Sequence, residues 1–245
     1  MQRYKITIEY DGTNFCGWQR QQKVVSVQQI IEEAIFAFTQ EETLAYGSGR
    51  TDAGVHALGQ VAHFDLSKIK PPLEIIGAIN HYSRPHKLSI LECELVPSDF
   101  HARFSAIERS YIYKIINRPS PLILMEKRAW HIIKKLNIAK MREALEYFLG
   151  SHDFTSFRAT ECQAKSPMKT ITHLELTENG EEITISITAK SFLHHMVRNI
   201  VGTIVEAGQE KIAPHEIPLI FEAKKRAAAG QTAPAYGLYF LKILY

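Results

Sequence analysis

The chain has 245 residues, 45% of them hydrophobic and 22% charged, and 29 Lys+Arg against 26 Asp+Glu leave a formal net charge of +3. That length suits one large domain or two small ones, and folding can bury about 70–75% of the surface of such a chain. The composition excludes a disordered tail, a collagen and a disulfide scaffold, and so small a charge excludes a binder that works by bulk positive potential. A polyanion would have to be held by a local patch.

Cys16, Cys93 and Cys162 are odd in number and far apart, without a CxxC or Cys/His zinc spacing, so neither a disulfide framework nor a structural zinc is expected. The N-terminus lacks an apolar signal region, and the greasy stretch around Met196–Val205 is broken by Arg198 and Asn199. The expectation is a cytoplasmic protein without a membrane span. The chain ends with its last strand, so no C-terminal extension is expected to contribute.

In chain order, Tyr4, Ile6, Ile8 and Tyr10 alternate with Lys5, Thr7 and Glu9, the pattern of a half-buried strand, and Asp11-Gly12 ends it. Ser26 with Gln29 resembles a capping box, after which Val27, Ile30, Ile31, Ala34, Ile35 and Phe38 recur at helical spacing. Short strands follow at 44–47 and 58–66 with a glycine-punctuated segment between them. A helix after Pro71-Pro72 and a strand over Leu88–Val96 complete a β-α-β-β-α-β order. The second half repeats it: a strand over Tyr111–Ile116, a helix over Ile138–Leu149, and paired strands around Asn179-Gly180, read as a type I′ hairpin. A strong helix then follows on the stripe Leu193, Met196, Val197, Ile200, Val201 and Ile204, with His194-His195 at its opening. A helix over Ile217–Ala229 and a strand over Leu238–Leu244 close the chain. The expected fold is α+β: two tandem ferredoxin-like halves, 1–104 and 105–245, sharing one long, mostly antiparallel sheet with helices on one face.

The most unusual stretch is Gly47-Ser48-Gly49-Arg50-Thr51-Asp52-Ala53-Gly54-Val55-His56. Its glycines permit positive φ and close approach to the backbone, and Arg50 and Asp52 share one side of a locally extended chain. A phosphate loop is excluded because Val55-His56, not Lys-Ser/Thr, follows Gly54, and Tyr46 breaks a G-x-S-x-G elbow. By itself the segment reads as a structural turn or as a site. Adjacent histidines on one helix point about 100° apart, and no H-E-x-x-H is present, so no metal site is expected. Arg198 lies on the flank of the strong helix, where a half-buried charge calls for a partner. Basic and aromatic residues interleave in Phe100-His101-Ala102-Arg103-Phe104 and Phe154-Thr155-Ser156-Phe157-Arg158, a mixture that suits base stacking with phosphate contact as well as it suits a core edge.

Taken together and in order, these blocks resemble one family. Glu9-Tyr10-Asp11-Gly12, Gly17-Trp18-Gln19-Arg20-Gln21 and Ser26-Val27-Gln28 are similar to the opening of the TruA pseudouridine synthases, and Gly49–His56 is similar to their catalytic signature. Phe100–Ala106, Tyr111-x-Tyr113, Asp153–Phe157, His194–Gly202 and Gly237-Leu238-Tyr239 follow in the family's order, so the resemblance spans nearly the whole chain. It implies two ferredoxin-like halves on one sheet and a cytoplasmic homodimer without cofactor or metal. It also implies a tRNA substrate, with uridines 38–40 of the anticodon stem-loop isomerised to pseudouridine. Residue by residue, it implies Asp52 as the catalytic aspartate and Tyr111 as the tyrosine that stacks on the target uracil. Arg198 would be the basic partner of the aspartate, Arg50 a residue holding the uridine out of its stack, and Leu238 part of the pocket wall. Ile79–Pro85 departs from the family by lacking its Leu-Pro after the asparagine and by being one residue longer. Two rival readings are a non-catalytic RNA-binding module, which the absence of an RNP1 pattern disfavours, and a small-molecule enzyme using Arg50 and Asp52. With a charge of only +3, tRNA would have to be held by concentrated arginines, the candidates being Arg20, Arg50, Arg103, Arg158 and Arg198.

Overall fold

The computed structural model describes residues 1–245, with ten strands and five α-helices in a mixed α+β fold whose strand pairing is mostly antiparallel. Two compact units are present, Met1–Ile107 with Tyr239–Tyr245, and Glu108–Leu238. No helix is long and apolar enough to cross a membrane.

In the first unit the elements are β1 (Gln2–Tyr10), α1 (Val27–Thr39), β2 (Tyr46–Gly47), β3 (His56–Leu66), α2 (Pro72–Tyr82) and β4 (Leu88–Val96). The order is the expected β-α-β-β-α-β. β1 pairs antiparallel with both β3 and β4. Its register sets Tyr4, Ile6 and Ile8 against Phe64, Ala62 and Gln60 on the buried face, while Arg3 meets Asp65 on the other. α1 starts where Ser26 accepts the Gln29 N–H, and its stripe Val27, Ile30, Ile31, Ala34 and Ile35 is buried as the periodicity requires. β2 is shorter than expected because the chain leaves β3 at Gly47, after pairing Tyr46 with His63 and Gly47 with Ala62. That exposes the start of β3 to another partner. The C-terminal strand β10 (Leu238–Leu244), which the element order counts as the closing strand of the second half, runs parallel to β3, with Tyr239 and Phe240 beside His56 and Ala57. β3 is bulged here, and a Cβ on Gly59 would stand 2.7 Å from the Leu241 carbonyl oxygen, so only glycine lets β10 come so close.

The second unit contains β5 (Glu108–Asn117), β6 (Trp130–Ile132), α3 (Ile138–Glu146), β7 (Gly150–Asp153), β8 (Met168–Asn179), β9 (Glu182–Ala189), α4 (Met196–Gly208) and α5 (Ile217–Ala223). β5, β9, β8 and β7 are successive antiparallel neighbours, and β6 runs parallel to β5. β6 and β7 carry no alternation of their own and were invisible to a pattern reading. Their neighbours supply the pairing. The hairpin turn also differs from expectation: Asn179 pairs with Glu182, so the loop is Gly180-Glu181, and only Gly180 has positive φ (61°). That is the type II′ arrangement, which needs glycine first, not type I′, which needs both residues left-handed. α5 stops early because Lys224 turns left-handed (φ 48°) and the Lys225 N–H goes to Ser156 Oγ at 3.0 Å. α4 begins at Met196, not at the histidines; His195 caps it at φ 62°, and His194 stands in the preceding turn. His194 is therefore not part of the helix that carries Arg198.

Candidate active site

The loop between β2 and β3 is built by the residues that precede α1. Asp11 accepts the Thr13 N–H and hydroxyl, fixing a single 3-10 turn at Gly12–Asn14. Gly12 then lies flat against the loop, since a Cβ there would come within 2.0 Å of the Val55 carbonyl oxygen. Gly17, at φ +89°, is pressed against the Thr51 carbonyl, 2.4 Å from where a Cβ would stand, and that carbonyl accepts the Trp18 N–H at 3.1 Å. The Trp18 indole covers Gly47, leaving no room for a side chain. Gly54 N donates to the Phe15 carbonyl at 3.3 Å. The Asp-Gly and Gly-Trp blocks and the loop signature therefore occur together because one is the mould of the other.

Underneath runs a buried polar network. Gln60 accepts from Ser48 Oγ and from the Val61 N–H, and its amide donates to the Gly49 carbonyl at 2.9 Å. The Tyr10 hydroxyl meets Thr51 Oγ1 at 2.8 Å, and complete burial pushes its pKa far above the usual value, so it stays protonated. Above this floor the Val55 N–H closes a tight turn onto the Asp52 carbonyl at 3.2 Å, with Gly54 at φ +81° in the third position. Asp52 occupies the first position of that turn, half-buried, on a backbone held from both sides. Tyr10→Phe removes a hydroxyl from this floor and leaves Thr51 short of a partner. The expected result is a loss of about 1–2 kcal/mol, read as a lower urea midpoint at unchanged slope.

Arg50 is exposed and its Nε donates to Gln19 Oε1 at 3.1 Å. Gln19 is oriented by a chain of amides: its Nε2 donates to Gln28 Oε1 at 2.9 Å, and Gln28 Nε2 donates to Glu32 Oε1 at 2.9 Å. Glu32, only 5% exposed, also accepts from the Ala45 N–H and from Arg20. Each amide has one orientation that satisfies this chain, so Gln19 presents its oxygen to Arg50. Arg20, a sequence candidate for holding tRNA, is instead engaged by Glu32 at 2.9 Å and Glu33 at 3.7 Å.

His63 lies on β3, and its Nδ1 accepts the Ala102 N–H at 3.1 Å. Burial, then the neighbouring His101 and Arg3, lower its pKa to about 4 from the usual 6.5. Between these values the unfolded chain takes up a proton that the folded one refuses, so stability falls as pH is lowered from about 6.5 toward 4. Urea midpoints at neutral pH and at pH ~4.5 check this, and His63→Gln should flatten the difference.

In the second unit, Tyr111 of β5 is 9% exposed with its ring edge-on to Phe192 at 5.1 Å. Tyr113, two residues along the same strand, donates to the Pro234 carbonyl at 2.8 Å, and its ring fills the place of a Cβ on Gly237. Burial raises the Tyr113 pKa well above the usual value, which keeps that donor in place. α4 is strapped by residues 230–233. Arg198 Nε donates to the Ala233 carbonyl at 2.8 Å and its own carbonyl accepts the Ala233 N–H at 3.1 Å. Thr232 donates to Asn199 Oδ1 at 2.7 Å, Gly230 N to Thr203 Oγ1 at 3.0 Å and Gln231 N to Glu206 Oε1 at 2.9 Å. Leu238, 6% exposed, follows directly behind the Tyr113–Gly237 contact. Of the five residues expected to act, Arg50 and Asp52 thus lie on one loop of the first unit. Tyr111, Arg198 and Leu238 belong to the second, where Arg198 and Leu238 flank the strap. Sequence reading missed the scaffold: Tyr10, Gln60, Tyr113, Asn199 and Thr203 lie inside the recognised blocks or beside them, but only contacts give them roles.

The family model described as tRNA pseudouridine synthase matches residues 6–105 and 144–245. A protein named tRNA pseudouridine synthase A from Ehrlichia chaffeensis is 54% identical over 244 residues, 99% of this chain and 100% of that one. Its namesake from Ehrlichia canis is 53% identical over the same shares. A family match over most of the chain, with relatives more than half identical over their full length, defines an RNA-modifying isomerase. The chain belongs to the tRNA pseudouridine synthase A (TruA) family, and it is an enzyme that forms pseudouridine in tRNA.

Proposed function

We propose that this chain acts as a cytoplasmic homodimer on uridines 38–40 of the anticodon stem-loop, with Asp52 as the essential carboxylate and no cofactor. The observation that carries the reading is the placement of Asp52, half-buried at the head of a turn fixed by Gly12, Gly17, Tyr10 and Gln60. A reacting group held so firmly loses little entropy on reaching its target.

The reaction breaks the N1–C1′ bond of uridine, turns the uracil and joins C5 to C1′. C5 gives up its proton and N1 ends protonated, so nothing is oxidised, reduced or hydrolysed. An ionised carboxylate suits this chemistry as a nucleophile toward ribose C1′ or uracil C6, or as a base toward a ribose proton. The uridine must first leave its stack at a cost of a few kcal/mol. In this proposal Tyr111 offsets part of that cost by stacking, and Arg198 favours the ionised aspartate. Arg50 holds the extruded nucleotide and Leu238 walls the pocket.

The test is to incubate the purified protein with tRNA carrying tritium at uracil C5 and to map the product. Tritium release with pseudouridine confined to positions 38–40 is the expected outcome. Pseudouridine elsewhere in tRNA overturns the positional assignment. Salt-sensitive tRNA binding without tritium release would return the chain to the RNA-binding rival.

A further inference from the structure

The first unit carries a run of aromatic rings outside the catalytic loop. His101–Ser105 is a closed turn: Ser105 N donates to the His101 carbonyl and His101 N to Ser105 Oγ, both at 2.9 Å. His101 Nδ1 accepts the N–H groups of Arg103 at 3.1 Å and Phe104 at 3.4 Å. Four hydrogen bonds thereby hold Phe104 out, 76% exposed. Its ring centroid is 4.4 Å from that of His101, and the Arg103 guanidinium carbon is 5.6 Å from it. His101 is 5.9 Å from Tyr46, which is 47% exposed and stacks on His63 at 5.1 Å and 19°.

We propose that Phe104, His101 and Tyr46 form a stacking platform for unpaired bases of the tRNA substrate, additional to the pocket for the target uridine. A rigid turn that displays a phenylalanine to water gains nothing for the core, whereas flat rings beside a guanidinium are the means by which single-stranded nucleic acid is held without base readout. Burial and nearby cations lower the pKa of both His63 and His101, so at neutral pH their rings are uncharged faces. The nearest basic groups behind the platform are answered by carboxylates, Arg3 by Asp65 and Lys5 by Glu94. Charge at the platform is therefore left to Arg103, and stacking is what Phe104 itself offers. Tyr46 precedes Asp52 by six residues. That is at most about 22 Å of chain, so a base on the platform and a uridine at Asp52 can belong to one stem-loop.

The inference rests on tRNA as substrate and on no particular modified position. The experiment compares the full chain with Phe104→Ala and Phe104→Trp, using a fluorescent full-length tRNA transcript. Phe104→Ala should weaken binding roughly 5- to 150-fold, the loss of one stacked base. The salt slope should hardly change, because no phosphate contact is removed, and the kinetic loss should fall on KM. Phe104→Trp should restore affinity, and thermal unfolding should be unaffected in both variants. Wild-type affinity in Phe104→Ala overturns the platform, as does a change of oligomeric state by light scattering in place of the affinity loss. Mapping the product made by the unaltered protein tests positions 38–40 separately, so failure of one reading is not failure of the other.

Discussion

Asp52→Asn leaves tRNA bound but not modified: tritium release from C5-labelled uridine should fall by at least about 10³-fold, while the dissociation constant for tRNA stays within a few-fold. Asparagine keeps the size of the side chain, and the bond that closes the turn, from the Val55 N–H to the residue 52 carbonyl, belongs to the backbone. The loop should therefore survive, since Gly12, Gly17, Thr51 and Gln60 hold its backbone. What is removed is the negative charge, and a neutral amide can neither attack C1′ or C6 nor take a ribose proton at a useful rate. A variant retaining a tenth of the wild-type rate in purified tRNA would end the assignment of Asp52.

Gly202→Ala should be the most damaging conservative change in the second unit. Alanine is favoured over glycine in a helix by about 1 kcal/mol, so propensity alone forecasts stabilisation. The tertiary contact reverses the sign: a Cβ at 202 would stand 1.7 Å from the Gln231 carbonyl oxygen. Either α4 opens or the strap lifts, and lifting it breaks the bonds of residues 230–233 to Arg198, Asn199, Thr203 and Glu206. At about 1 kcal/mol net for each of five bonds, less the propensity gain, the loss is about 4 kcal/mol, or a Tm lower by roughly 8–16 °C. Activity should fall further than stability, because the displaced strap leads through Pro234 and Gly237 into Leu238. Unchanged melting in Gly202→Ala would show that the strap is looser than its contacts indicate.

How much of this was legible beforehand depended on whether a feature is local. The alternation of Tyr4, Ile6, Ile8 and Tyr10 and the stripe of α1 survive folding because each buries one face. β6 and β7 were missed, since their pairing comes from β5 and β8 and not from any pattern of their own. His194-His195 looked helical because an apolar stripe runs through Leu193. The left-handed backbone of His195, which starts the helix one residue later, leaves no trace in hydrophobic periodicity. Arg20 read as a candidate for RNA, yet its partners Glu32 and Glu33 lie a full helical turn or more into α1.

The sequence alone determined the α+β class, the β-α-β-β-α-β order of the first half and the chain of family blocks, because these rest on residue identity and short-range spacing. Its charge of +3 also required that any contact with RNA be placed rather than diffuse. Only the tertiary structure decided that β10 pairs with β3, that the Asp-Gly and Gly-Trp blocks mould the Asp52 loop, that Glu32 orients Gln19 toward Arg50, and that Phe104 is held out into water. The first three join residues distant in the chain through strand pairing, a hydrogen bond or a missing Cβ. Such pairings cost chain entropy that only the whole folded unit can offset, and no window of sequence contains them.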